Sequence, residues 1–174
     1  MTTLFDKVFY KYNEQKTAII DGGQKINYKN FFEDCSKVYS FLRSYGKKKK
    51  ICICLPNCYH SVLIFLAASK SSFLIFPISD SISNKKLKEY SKKYKFDLII
   101  SEKKMSFLKN LITLEKLKKE LNKIKAINLK CVNTDVNERD YIVLLSSGST
   151  GDPKPVLLTQ KNKYLRSFFA GQTY

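Results

Sequence analysis

Nine residues near the end of the chain, Ser146-Ser147-Gly148-Ser149-Thr150-Gly151-Asp152-Pro153-Lys154, hold its densest chemistry. Four hydroxyls, on Ser146, Ser147, Ser149 and Thr150, can each donate a hydrogen bond to an anionic oxygen. Gly148 and Gly151 permit backbone shapes in which amide N–H groups converge on an anion. Lys154 adds a positive charge, and Pro153 stiffens the exit. Packing a core requires no such row of small hydroxyl residues. The spacing is not that of the P-loop, which has four residues between its glycines and a hydroxyl directly after its lysine. Here two residues separate the glycines, and Pro155 follows Lys154. The G-x-G-x-x-G fingerprint is absent here too. The competing reading is a plain Ser/Gly surface loop.

The loop's value depends on what presents it. Residues 141–145 form an apolar run that reads as a buried strand. The loop should therefore leave that strand's carboxyl edge, where open α/β sheets bind ligands. Upstream, residues 17–21 and 25–28 read as a hairpin turned at Asp21-Gly22-Gly23. Apolar residues at helical spacing mark a helix over 30–45, ending at Gly46. The apolar run 51–55 suits a strand buried on both faces. A helix over 57–71 follows, then a strand over 73–78. A lysine-rich amphipathic helix spans 83–94, with Ser83 as its cap and Leu87 and Tyr90 inward. Residues 97–100 read as a strand, 101–106 as a polar loop, 111–125 as a charged helix and 126–132 as a further strand. This alternation predicts an α/β fold, a mostly parallel sheet with flanking helices.

Other constellations have simpler explanations. Cys52, Cys54, Cys58 and His60 spell C-x-C-x3-C-x-H, four zinc-ligand types at a spacing unlike the usual structural zinc sites. Positions i and i+2 of a buried strand share one face, so these thiols read as core packing, as does Cys131. His60, the only histidine, has no paired serine or acid nearby to make it catalytic. The chain has 174 residues, 44% of them hydrophobic, enough for one domain or a large piece of one. Its net charge of +17 is almost wholly lysine, since Arg43, Arg139 and Arg166 are the only arginines. Readers of nucleic acid favour arginine forks, so no specific nucleic-acid partner is expected. A charge this high still implies non-specific attraction to polyanions at low salt. The lysines of 85–95 with Tyr90 and Tyr94 offer an aromatic-basic face for nucleic acid, or plain solvated surface. No signal peptide is apparent, and no apolar run approaches the roughly 20 residues of a membrane span. The expectation is a reduced, cytoplasmic protein with no membrane span.

The stretch 141–154, continued by Val156-Leu157-Leu158-Thr159-Gln160-Lys161-Asn162, resembles the signature loop of adenylate-forming enzymes, the AMP-binding acyl ligase and synthetase superfamily. That family typically reads Ser/Thr-Ser/Thr-Gly-Ser/Thr-Thr-Gly-x-Pro-Lys-Gly-Val, then Leu-Thr-His-x-Asn. Leu55-Pro56-Asn57 leading into Phe65-Leu66-Ala67-Ala68 resembles an earlier segment of the same superfamily. Phe76-Pro77-Ile78 and Asp97-Leu98-Ile99-Ile100-Ser101 resemble its next strands. The likeness covers the chain roughly from residue 17 onward.

The resemblance implies an ATP-binding, acyl-CoA synthetase-like ligase. A carboxylate attacks the α-phosphate of ATP, giving an acyl-adenylate and pyrophosphate. The acyl group then passes to a thiol, of coenzyme A or of a carrier protein's phosphopantetheine arm, and Mg²⁺ helps to neutralise the phosphates. Under this resemblance Ser146, Ser147, Gly148, Ser149, Thr150, Gly151 and Lys154 hold the β- and γ-phosphates by positioning and charge. Residues 1–174 would then be part of the large N-terminal AMP-binding domain. The family's adenine and ribose contacts, metal-binding glutamate, acyl pocket and catalytic lysine all lie downstream of the position matching Tyr174. No catalytic residue and no metal ligand are therefore assigned within the chain, and acyl-adenylate formation by it alone is not expected. Two residues depart from the pattern: Pro155 stands where the family has glycine, and Gln160 where it has histidine. The carboxylic acid stays open. So do two alternatives, a non-catalytic interaction module completed by a partner and a charge-driven polyanion binder.

Overall fold

The computed structural model describes residues 1–46, 49–146 and 153–170. Its elements, in chain order, are α1 (Leu4–Phe9), β1 (Thr17–Asp21), β2 (Gln24–Asn27), α2 (Tyr28–Arg43), β3 (Lys50–Cys54), α3 (Tyr59–Ser71) and β4 (Leu74–Pro77). There follow α4 (Asn84–Tyr94), β5 (Leu98–Ser101), β6 (Leu111–Thr113), α5 (Leu114–Leu121), β7 (Asp140–Ser146), β8 (Lys154–Thr159) and α6 (Gln160–Ala170). One sheet runs in the order β6-β5-β3-β4-β7-β8, with β1 and β2 a separate hairpin. Every neighbouring pair in the large sheet is parallel except β7 and β8. The chain thus has the expected α/β fold, with a mostly parallel sheet and flanking helices.

The alternation Ile-Cys-Ile-Cys in β3 follows from cover on both faces. Ile51 and Ile53 pack with Ile75, Leu98 and Ile100 beneath helices α2, α3 and α5. Cys52 and Cys54 face the other way, among Phe76, Ile99, Val143 and the α4 residues Leu87 and Tyr90. Leu87 and Tyr90 point inward as their spacing predicts. That removes Tyr90 from any exposed aromatic-basic face.

Local chemistry moves several boundaries. The α2 helix starts before residue 30 because the Asn27 side chain caps it, accepting from Asn30 N at 2.9 Å. Gly46 takes φ 98°, which suits glycine. The helix expected over 111–125 is wrong at its start. Leu111–Thr113 pairs in parallel with β5, and Thr113 then caps the shorter α5 by accepting from Lys116 N at 3.2 Å. The strand expected over 126–132 is absent. Leu129 and Cys131 pack against the core, but Ile127 is exposed, and its N–H goes to Ser36 Oγ at 3.0 Å, not to a ladder. Among the described residues, no helix is long and apolar enough to cross a membrane.

Residues 1–12 carry no strong periodic signal, yet α1 there is firmly held. Thr3 and Asp6 form a reciprocal capping box, with Asp6 Oδ2 accepting from Thr3 N at 2.8 Å. Asp6 is fully buried and pairs with Lys70 of α3, whose Nζ also donates to the Lys130 carbonyl at 2.9 Å. Before it, Thr2 is buried and donates to the Val132 carbonyl at 3.1 Å. Replacing Asp6 with alanine strips Lys70 of its partner and uncaps α1. Breaking a buried pair from one side costs about 3–5 kcal/mol, so Asp6→Ala should lower the urea midpoint by a corresponding amount. A loss below about 1 kcal/mol, the scale of an exposed pair, would contradict this role.

Candidate phosphate-binding site

β7 is built to deliver a loop to one edge of the sheet. Tyr141, Ile142 and Val143 are buried, and the strand then surfaces so that Ser146 is exposed. The Tyr141 hydroxyl donates to the Phe65 carbonyl of α3 at 2.6 Å. Burial pushes the Tyr141 phenol above its ordinary range, which keeps it a neutral donor. β7 runs parallel to β4, so both end at the same edge. β8 returns antiparallel, placing Lys154 opposite Ser146, Pro155 opposite Leu145 and Val156 opposite Leu144. Ser146 Oγ donates to the Lys154 carbonyl at 3.1 Å, and both residues are exposed. The two ends of the candidate motif are thus brought together across one ladder position. Ser147, Gly148, Ser149, Thr150 and Gly151 lie outside the described residues.

The fold also accounts for Pro155. Proline cannot donate to a ladder and is confined to edge strands, first residues and bulges. It is the second residue of β8, the terminal strand of the sheet order. The second half of the motif is a helix start. Thr159 Oγ1 accepts from Asn162 N at 3.2 Å, and Asn162 Oδ1 accepts from Thr159 N at 3.0 Å. This is a reciprocal cap of the capping-box kind. Thr-x-x-Asn after an apolar strand is the sequence signal that could have marked this helix start.

Two hollows bear on where a ligand would sit. α3 leaves the carboxyl end of β3 for one face of the sheet, and α4 leaves that of β4 for the other. The crevice between those ends is a topological switch point, the usual ligand position in open α/β sheets. A cavity of about 240 Å³ lies there, lined by residues including Leu55, Ser61, Phe65, Pro77 and Ser79. A wider hollow of about 920 Å³, lined by residues including Arg43, Lys50, Arg139 and Glu138, opens at the opposite edge, by the starts of β3, β4 and β7. Its charges are largely engaged: Arg139 Nη1 donates to Ser72 Oγ at 2.8 Å, and Glu138 pairs with Lys161 at 2.7 Å. Size favours the second hollow. Chemistry favours the first edge, because the motif and the switch point coincide there.

The other candidate groups are core or surface structure. Cys52 and Cys54 are buried, and burial pushes both thiols up. Cys131 is pushed up to about 11, by burial first and then by Asp6. Burial, then Lys118, holds the His60 imidazole below its ordinary range. Among the described residues, no group of three or more His, Cys, Asp or Glu is placed to hold a metal ion.

Residues 5–172 match the family described as AMP-binding enzyme. No curated protein sequence matches the chain. Solved structures with the same fold include the N-terminal subdomain of NpsA from Klebsiella oxytoca in complex with 3-hydroxybenzoyl-AMSN, at TM-score 0.74 and 19% identity, covering 92% of this chain and 41% of that one. VinN in complex with L-aspartate superposes at TM-score 0.78 and 17% identity, covering 99% and 53%. ATP-bound MatB from Rhodopseudomonas palustris gives TM-score 0.78 and 15% identity, covering 97% and 37%. At these identities the likeness is one of fold. The chain spans between about a third and a half of the length of these solved chains.

If Pro155 sits unstrained in the edge strand, it stabilises chiefly by restricting the unfolded chain. Pro155→Ala should then lower stability by about 0.4–1 kcal/mol in urea denaturation. A gain on substitution would show strain at this position.

Proposed function

The chain belongs to the AMP-binding enzyme family, and on that footing we propose that it supplies the phosphate-gripping strand–loop–strand of an ATP-dependent carboxylate-activating ligase. The observation that carries the reading is the pairing of Ser146 with Lys154 at the carboxyl edge of the sheet. A hydroxyl-bearing residue and a lysine stand opposite each other there, at the two ends of a run of hydroxyls and glycines. In the proposed reaction a carboxylate oxygen attacks the α-phosphorus of ATP and pyrophosphate leaves. The acyl group then moves to a thiol, of coenzyme A or a carrier protein's phosphopantetheine. This chain's part is to hold the β- and γ-phosphates through Ser146, Ser147, Gly148, Ser149, Thr150, Gly151 and Lys154. Charge on the departing pyrophosphate is thereby stabilised without any covalent step in the loop. To donate to a phosphate oxygen, Ser146 Oγ must turn from the Lys154 carbonyl, a rotation a hydroxyl makes freely.

Mg²⁺ accompanies nucleotide phosphates in such chemistry. The described residues offer no carboxylate cluster for it, and no metal step is assigned to this chain. We place residues 1–174 as part of the N-terminal AMP-binding domain, acting in the cytoplasm, where free thiols such as Cys35 and Cys52 persist. A second role, as an interaction module, draws on one observation. Leu144 and its cross-strand partner Val156 are more than a third exposed on one face of the β7–β8 ladder, with Leu157 on the other and Leu165 and Phe168 on α6; exposed apolar groups of this kind can pair with more protein.

Binding of inorganic tripolyphosphate to the 174-residue chain, by calorimetry at 150 mM salt, tests the assignment. Removing one charge-assisted hydrogen bond costs about 1.5–3 kcal/mol, so Lys154→Ala should weaken binding by at least about tenfold. Equal binding by both proteins, or binding that vanishes with salt irrespective of Lys154, would replace the phosphate loop with general polyanion attraction.

A further inference from the structure

β8 lacks the usual device for fixing strand register. A strand is locked when one face is buried, because a one-residue slip turns every side chain over. Of the six residues of β8, Lys154 to Leu157 are exposed and only Leu158 and Thr159 are partly buried. Val156 and Leu157, which point to opposite faces, are 45% and 48% exposed. Among the described residues, the strand lies at the end of the sheet order with β7 as its one neighbour. Something other than burial must set which β8 residue stands opposite Ser146.

The next residue, Gln160, is fully buried and joined to three separate segments. Its backbone N–H donates to the Arg139 carbonyl, just before β7, at 3.0 Å. Its Oε1 accepts from Leu4 N at 2.9 Å, and its Nε2 donates to the Ser69 carbonyl at 2.8 Å. Leu4 N is the first N–H of α1, and the Ser69 carbonyl is in the last turn of α3. These are positions that helices leave without intrahelical partners. One side-chain amide, donor and acceptor at once, therefore closes two helix ends. With the irregularity between Asp140 and Ile142 held in place, a slip of β8 by one residue would pull it out and orphan both.

We propose that Gln160 is the positioning residue that pins the register of β8 and so holds Lys154 opposite Ser146. The consequence for phosphate rests on the proposed function; the register itself does not. The test uses the whole 174-residue chain, with cross-strand NOEs reporting Ser146–Lys154 pairing and, as an internal control, Ile53–Pro77 pairing between β3 and β4. In Gln160→Leu, and in the shorter amide Gln160→Asn, the Ser146–Lys154 contacts should vanish or shift by a residue while Ile53–Pro77 persists. Tripolyphosphate binding should fall about tenfold in both, matching the loss of the Lys154 contact. Gln160→His at pH 8, where neutral imidazole keeps one donor and one acceptor, should restore both readouts. Intact Ser146–Lys154 contacts in Gln160→Leu would overturn the proposal. So would joint loss of both strand pairs in the Leu and Asn variants, which would make Gln160 a general stability residue. Loss of register in a protein whose parent binds no tripolyphosphate would support the pin and refute the phosphate reading.

Discussion

Two helix ends at the base of the sheet share one amide, and the strand that returns from the candidate site hangs on it. α1 opens with an N–H that no turn of its own can satisfy, and α3 closes with a carbonyl in the same position. Gln160 meets both from a fully buried position. The rest of the base follows the same logic. Phe5 N donates to Ser69 Oγ at 3.0 Å, Asp6 N to Thr3 Oγ1 at 3.2 Å and Lys7 N to the Thr3 carbonyl at 3.1 Å. The first four N–H groups of α1 are thereby engaged, Leu4 and Phe5 through residues far away in sequence and Asp6 and Lys7 through Thr3. The polar groups named at the base are paired, whereas Ser146 and Lys154 at the opposite edge are exposed.

This division of labour separates stability from chemistry across the sheet. The buried middle of β7, with Tyr141 tied to α3, carries the strand to the carboxyl edge. There the burial stops, and the exposed pair Ser146 and Lys154 begins. Such a distribution suits a site that works by positioned donors and one cation, because those groups act only where a ligand can reach them. The net charge of +17 raises the local concentration of any polyanion without deciding where one binds. That decision falls to the short range, since at physiological salt charges beyond about 8 Å are largely screened.

Much of the fold was legible because its signals are local. The alternation of β3, the cap at Ser83 and the glycine turn after β1 each announce themselves within a few residues. The family pattern in 146–162 was legible as composition and order. Features that depend on distant partners were not. Residues 126–132 look like a strand by composition, yet no free ladder receives them, and Ser36 takes the amide of Ile127 instead. Leu111–Thr113 reads as the first turn of a helix until β5 is there to pair with it. Gln160 shows the limit most clearly. In sequence it is a departure from a family histidine; in the structure it satisfies Leu4 and Ser69, which are 156 and 91 positions away. Neither partnership has any trace in the residues beside it.

The proposed function rests on phosphate being gripped at the carboxyl edge, between the ends of β7 and β8. The most direct measurement is the ¹⁵N–¹H spectrum of the chain titrated with tripolyphosphate at 150 mM salt. The expected result is saturable shifts concentrated at Ser146, Lys154 and the residues joining them, with the α4 lysines unmoved. Shifts spread over α4 and α5, never saturating and fading as salt rises, would contradict it and leave only a polyanion-attracting surface.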